Sequence, residues 1–242
     1  MFTVNHIKLA SIDSTNDYAL AFKDSVIFKE GLLVTANYQS GGNGQRGKKW
    51  ESNANKNLLL SVVVEPNIKL DEQSSISKIV ALSVCDLLSC FDIEAEIKWP
   101  NDILVDKKKI AGILIQNKLE GNNITHSVIG LGLNLNQLVF KEYSPNATSL
   151  RLIINKDCNV SKIQQQFLSF LFVRLNALKA GENQDNEYLD ALFLKEKLAA
   201  FEHNKKQFMG VIKGVSQSGK LLINLENNRI VAFENQELKY LF

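Results

Sequence analysis

The sequence predicts an α+β chain: a mixed, largely antiparallel sheet with flanking helices, followed by a small C-terminal β-barrel. Three observations carry that expectation. Apolar, β-branched runs of strand length recur through the first half, several joined by short polar turns that read as hairpins. Apolar residues at helical spacing separate two groups of these strands and recur after residue 160. From about Leu198 the texture changes to short strands with polar turns.

In order, residues 2–9 read as a first strand. It ends at Asp13-Ser14-Thr15-Asn16, small polar residues suited to cap a helix bearing Tyr18, Ala19, Leu20 and Phe22. Residues 31–38 are the next strand, and residues 58–64 another. Ile76, Ile79, Val80, Val84, Leu87 and Leu88 mark an amphipathic helix expected to cover one sheet face. Ile93, Ala95 and Ile97 alternate as a strand, and 103–105, 110–117 and 125–133 follow as strands. The turn containing Lys107 and Lys108 is expected to be solvated. Helices are expected at 161–180 and 185–197, their aromatic residues serving as core. The last strands fall at 206–215, 220–225, 229–233 and 238–241, with hairpin turns at Ser218-Gly219 and Asn227-Asn228. No linker separates the two parts, expected as domains 1–195 and 196–242, so they should pack closely.

Bulk properties exclude several classes. A chain of 242 residues with 45% hydrophobic and 22% charged residues suits a globular protein. A formal charge of +2 gives no electrostatic case for nucleic-acid or membrane binding. No apolar run approaches the roughly 20 residues of a membrane span, and no signal peptide is visible. A cytoplasmic location is expected. Cys85, Cys90 and Cys158 have neither disulfide-framework nor zinc spacing, and His6, His126 and His203 have no ligand-spaced partner.

Two tracts stand out chemically. Gly42-Asn43-Gly44-Gln45-Arg46-Gly47-Lys48-Lys49-Trp50 combines three glycines with three cations. Free backbone and fixed positive charge suit a phosphate. The tract is flanked by strands on both sides, which argues against a dinucleotide-binding Rossmann loop; read alone, it is equally a glycine-rich hairpin. The second tract is Lys98-Trp99-Pro100-Asn101-Asp102. Pro100 cannot sit inside a central strand, so the chain bends there and presents Lys98, Asn101 and Asp102 at a sheet edge. Gly112, Gly130 and Gly132 interrupt apolar strands, which a bulge or a close ligand would explain. Their convergence favours the ligand.

Together these tracts resemble the biotin protein ligases, whose signatures are a G-R-G-R-x-G-x-x-W loop and a K-W-P-N-D tract. Further matches follow in the family's order: Ser14-Thr15-Asn16, Tyr38-Gln39, Lys109-Ile110-Ala111-Gly112-Ile113-Leu114, Gly130-Leu131-Gly132-Leu133-Asn134 and Ala147-Thr148-Ser149-Leu150. The resemblance covers essentially the whole chain. It implies the fold shared by class II aminoacyl-tRNA synthetases and biotin ligases, with an SH3-like C-terminal module.

It also implies a chemistry. A biotin carboxylate attacks the α-phosphate of ATP, and the biotinyl group of biotinyl-5′-AMP then passes to a lysine of a biotin carboxyl carrier protein. Lys98 would stand between carboxylate and α-phosphate, with Arg46 as the second catalytic residue. Ser14, Thr15 and Asn16 would bind the ureido ring and Gln39 the ring or carboxylate. Gly42, Asn43, Gly44, Gln45 and Gly112 would complete the biotin site. Gly44, Gln45, Arg46, Lys48, Trp50, Asn101 and Asn134 would bind ATP, and Asn101 and Asp102 would orient Mg²⁺. Leu114, Ile115 and Trp50 could wall the valeryl chain and adenine.

One departure concerns retention. Asn43 and Gln45 stand where the family loop usually has arginine, so two charges are lost while hydrogen-bonding capacity remains. The nearest competing enzyme is a lipoyl or octanoyl transferase of similar fold; the Trp-Pro-Asn-Asp tract favours biotin. A biotin-sensing repressor would need an N-terminal helix-turn-helix, and a non-catalytic biotin binder would not need Lys98 or the phosphate loop. With a strand beginning at residue 2, DNA binding is not expected. Any homodimer is expected to form through sheet edges or the catalytic surface.

Overall fold

The computed structural model describes residues 4–47, 49–141, 145–235 and 237–241. Strand β1 (Asn5–Leu9) leads through helix α1 (Thr15–Leu20) to β2 (Leu32–Ala36) and β3 (Leu58–Val64). A two-residue β4 (Ile68–Lys69) precedes α2 (Gln73–Ser89). Then come β5 (Glu96–Lys98), β6 (Asp102–Val105), β7 (Lys108–Glu120) and β8 (Asn123–Leu133). These form one sheet in the order β1-β2-β3-β8-β7-β6-β5, with β4 also on β8. Only β1 and β2 run parallel; the remaining pairs are antiparallel, as the hairpin turns implied.

Every residue of β3 is buried, which explains a continuous apolar run in place of alternation. Leu58, Leu60, Val62 and Val64 join the main core with α2 and with α4 (Val160–Lys179), whereas Val63 faces the smaller core under α1. The N-cap of α2, Glu72, makes no side-chain capping bond to the helix, so packing holds it in place. Ile76, Ile79, Val80, Val84, Leu87 and Leu88 are all buried, each stabilising by about 1.5–3 kcal/mol.

Between them lie a short α3 (Leu150–Ile154), not anticipated from periodicity, and then α4. The helix expected at 185–197 is only α5 (Asp185–Asp190). Beyond it the chain turns extended beside β5: Ile97 donates to Ala191 O and Phe193 donates to Ile97 O. Leu194 and Glu196 adopt positive φ, which ends any helix. Edge pairing with β5 outweighs the helical pattern here, while Leu192 and Phe193 are still buried.

The second sheet comprises β9 (Leu198–His203), β10 (Lys206–Val215), β11 (Leu221–Leu225), β12 (Ile230–Phe233) and β13 (Lys239–Leu241). It is antiparallel in the order β12-β11-β10-β9-β13, and its pairing runs as an open path where the sequence suggested a barrel. Closure would require β12 to pair with β13, and both are three or four residues long. The sheet shares the main core through Phe201, Ile212, Leu221, Ile223 and Phe233. Trp99 Nε1 donates to Gly219 O at 2.9 Å and Ser74 Oγ to Gln217 O at 2.8 Å, so the two sheets are stitched beside the Lys98–Asp102 tract. No helix among the described residues is long and apolar enough to cross a membrane.

Candidate active site

A cavity of about 970 Å³ opens on the large sheet, under the glycine loop and against the second sheet. Its neutral end is built by the start of α1. Ser14, in extended backbone, caps the helix by accepting from Asp17 N at 3.3 Å. That cap orients the next two side chains inward. Thr15 donates from both its amide and its hydroxyl to Gln39 Oε1, at 2.8 and 2.9 Å. Ser61 Oγ lies 2.7 Å from Thr15 Oγ1 and 2.5 Å from Asn16 Oδ1, and Asn16 Nδ2 reaches Gln116 Oε1 at 2.9 Å. Ser14, Thr15, Asn16 and Ser61 are buried, so the polar groups satisfy one another and are held in fixed positions. The Gln39 carbonyl is spent on Thr15, which leaves its amide nitrogen as the donor near Gly42.

The glycine loop is a closed hairpin. Trp50 N donates to Gly42 O at 2.8 Å, and Asn43 bridges to Lys49. A short 3-10 turn (Gln45–Gly47) forms the tip, where Gly47 takes φ +77°, a conformation that disfavours a side chain. Gly42 does not line the cavity: a Cβ there would sit 2.7 Å from Trp50 O, so this glycine serves the closure. Asn43, Gly44, Gln45, Lys49 and Trp50 do line it. Lys48 and the side chain of Arg46, both expected at the phosphates, lie outside the described residues.

The strand glycines line the cavity, and the site's own side chains also approach them closely. Gly112 and Gly132 are cross-strand partners on β7 and β8. Together they make a flat depression filled by the Trp50 indole: a Cβ on Gly132 would lie 2.3 Å from Trp50 Cε2, and one on Gly112 2.9 Å from Cζ3. At Gly130 the room is taken by Asn16 Oδ1. The Trp50 Nε1 is buried without a hydrogen-bond partner.

The charged end comes from the β5–β6 hairpin. The turn at 99–101, with a cis Trp99–Pro100 peptide, places Lys98 opposite Asp102. Asp102 lies 2.5 Å from Lys109 Nζ and 3.5 Å from Lys98 Nζ, with all three side chains largely buried. Lys98 Nζ also stands 5.1 Å from the centre of the Tyr240 ring, a cation–π distance. Burial pushes the Tyr240 phenol above its ordinary pKa, so it stays neutral. Asn101 Nδ2 donates to Ile113 O at 2.9 Å, tying the turn to β7. Asn134 Nδ2 donates to Thr148 O, but its Oδ1 is buried without a partner. Among the described residues, four lysines (49, 98, 109 and 239) and two carboxylates (Glu51 and Asp102) line the cavity. Such a surplus favours an anionic ligand.

Lys109 was quoted as part of a motif but given no role, and Ser61 and the second-sheet residues Asn235, Leu238 and Tyr240 were not singled out from the sequence. Lys109 had a readable signal, since it heads the strand that pairs with the Lys98–Asp102 hairpin. Leu114 lines this cavity, whereas Ile115 faces a smaller one of about 270 Å³ beyond Asn101. Of the expected magnesium ligands, the Asp102 carboxylate is engaged by two lysines, while only the amide nitrogen of Asn101 is tied to β7, which leaves its oxygen as the available ligand atom. Among the described residues there is no metal-binding group of three acidic, His or Cys side chains.

Comparison with known proteins places this geometry. The bifunctional ligase/repressor BirA of Bacillus subtilis is 34% identical over 109 residues, 45% of this chain and 34% of that protein. The chain spans about a third of that relative's length. A biotin–[acetyl-CoA-carboxylase] ligase of Mycobacterium tuberculosis is 33% identical over 147 residues, 59% of this chain and 53% of that one. A biotin protein ligase of Aquifex aeolicus, solved in complex with biotin and ATP, has a TM-score of 0.79 at 24% identity, covering 98% of this chain and 99% of that one, which shows a shared fold. Residues 9–134 match the family model described as biotin/lipoate A/B protein ligase. That stretch supplies both ends of the cavity, from Ser14 to Asn134, and it makes this chain a member of the biotin/lipoate A/B protein ligase family.

Proposed function

We propose that the protein activates biotin with ATP as biotinyl-5′-AMP and transfers the biotinyl group to a lysine of a biotin carboxyl carrier protein. One observation carries this reading: a single cavity joins a fixed, neutral hydrogen-bonding end to an end with surplus positive charge. A ureido ring needs neutral donors and acceptors, and a carboxylate meeting a triphosphate needs cations. The Aquifex protein of the same fold was solved with biotin and ATP. A cytoplasmic location is part of this reading.

The chain's residues would divide the work as follows. Thr15, Asn16 and Gln39 hold the ring, and Trp50 covers it from the glycine side. Lys98 lies between the biotin carboxylate and the α-phosphate, offsetting the repulsion of two anions. A carboxylate oxygen attacks the α-phosphorus, the bond to the β-phosphate oxygen breaks, and pyrophosphate leaves. Arg46 and Lys48, with the loop amides, would receive the phosphate charge. The unpartnered Oδ1 of Asn134 suits an N–H donor such as an adenine amine. In the second step a carrier lysine amine attacks the acyl carbon, AMP leaves, and the nitrogen loses a proton. Catalysis of this kind is positioning plus electrostatics. Magnesium, which accompanies ATP, would bind through phosphate and water oxygens.

Mass spectrometry of a purified carrier domain, incubated with the protein, biotin and ATP, tests this reading. Addition of one biotinyl group, dependent on both substrates and on the acceptor lysine, is expected. Modification by lipoate or octanoate and not by biotin would move the protein to the other branch of the family.

A further inference from the structure

We propose that Asn235 is a positioning residue for this reaction, latching the glycine loop to the second sheet and walling the reaction cavity off from its smaller neighbour. Asn235 Nδ2 donates to Gln45 Oε1 at 2.6 Å, across 190 positions of sequence. Gln45 stands where the family pattern has arginine. A guanidinium has five donors and no acceptor, so only the amide can receive this bond. The other departure differs, since Asn43 Nδ2 donates to Asp17 Oδ2 at 2.7 Å, a role that an arginine could also fill. Without the two arginines the loop keeps two ties, one to the Asp17 carboxylate of α1 and one neutral tie to the second sheet.

The far side of the latch is itself braced. Asn235 follows β12 in a turn where Glu234 N donates to Glu237 Oε2 at 2.8 Å, and Lys220 Nζ lies 2.7 Å from Glu234. The next strand, β13, brings Leu238, Lys239 and Tyr240 to the cavity wall. Gln45 and Asn235 line both cavities, together with Trp99, Pro100 and Asn101. They therefore stand in the partition between the two spaces. Opening it would join the reacting centre to the smaller cavity and to water. A mixed anhydride is lost by hydrolysis or release once water enters. The consequence for catalysis rests on the acyl-adenylate reading; the latch itself does not.

Two measurements on the full chain separate the ideas. Trypsin cuts after Arg46, Lys48 and Lys49, so limited proteolysis with peptide mapping reads how firmly the loop is held. Asn235→Ala and Gln45→Ala should each speed these cuts about fivefold, the scale of one neutral hydrogen bond. The double variant should add nothing further, because the same bond is lost once. In parallel, adenylate preformed from biotin and α-labelled ATP should disappear about fivefold faster from each variant, with an unchanged melting temperature. The exchange Gln45→Asn with Asn235→Gln, which keeps both amides, should recover part of the retention. Unchanged loop cleavage, or a fall in melting temperature without faster cleavage, would overturn the latch. If the wild type forms no adenylate at all, the proposed function fails, and loop cleavage alone still decides for or against the latch.

Discussion

The Asp102 carboxylate sits between two ammonium groups, 2.5 Å from Lys109 Nζ and 3.5 Å from Lys98 Nζ. Lys109 is the tighter partner. Asp102 thus fixes where both ammonium groups are held beside the cavity.

Lys98→Ala should lower biotin-dependent adenylate formation by about 10²–10³-fold, the scale for removing one preorganised electrostatic group. Stability should hold, because Asp102 keeps its bond to Lys109. Pyrophosphate exchange measured beside the melting temperature separates a catalytic lysine from a structural one. Near-normal exchange would end the assignment.

Asp102→Ala should behave differently. It leaves two largely buried lysines without their shared carboxylate, so the protein should lose about 1–3 kcal/mol as well as activity. Denaturant unfolding of the two single variants should show this contrast. Equal stability in both would show that Asp102 does not organise the pair.

The glycine depression gives a steric prediction. Gly132→Ala places a methyl group 2.3 Å from Trp50 Cε2 and must displace the indole. Of the two tryptophans, Trp99 is buried. Red-shifted emission from a Gly132→Ala/Trp99→Phe protein, relative to Trp99→Phe alone, is the expected signature. Unshifted emission would mean that the ring rests elsewhere.

A third region should titrate. Burial, and then the charge of Lys8, hold His6 below its ordinary pKa of 6.5; its Nε2 meets Thr35 Oγ1 at 2.8 Å. As pH falls below about 6.5 the unfolded chain takes up a proton that the folded chain resists. Stability from this group is thus full above that pH and declines as pH falls toward the folded pKa. His6→Asn should flatten the pH dependence of the unfolding midpoint between neutral and mildly acid solution. An unchanged slope would assign the dependence to other groups.

Much of this molecule was legible from its residues, for identifiable reasons. β3 and β10 fell where the residue pattern placed them. The bend at Pro100 was dictated by proline chemistry and sets the Lys98–Asp102 pairing. What escaped was non-local. The helical pattern after Asp190 loses to edge hydrogen bonds with Ile97, which no local window contains. The glycines of β7 and β8 signalled a close approach, but sequence could not say that Trp50 and Asn16 make it. Asp102 read as a metal ligand because its lysine partners converge only once β6 and β7 pair. Asn235 and Tyr240 reach the cavity only through the packing of the second sheet.

Biotin-dependent exchange of pyrophosphate into ATP tests the proposed chemistry most directly, because it needs neither a carrier protein nor a variant. The wild type should exchange pyrophosphate only when biotin is present, and the biotin should accumulate as an acid-labile adenylate. Absence of exchange with biotin, or exchange supported by lipoate in its place, would contradict the assignment of this cavity to biotin activation.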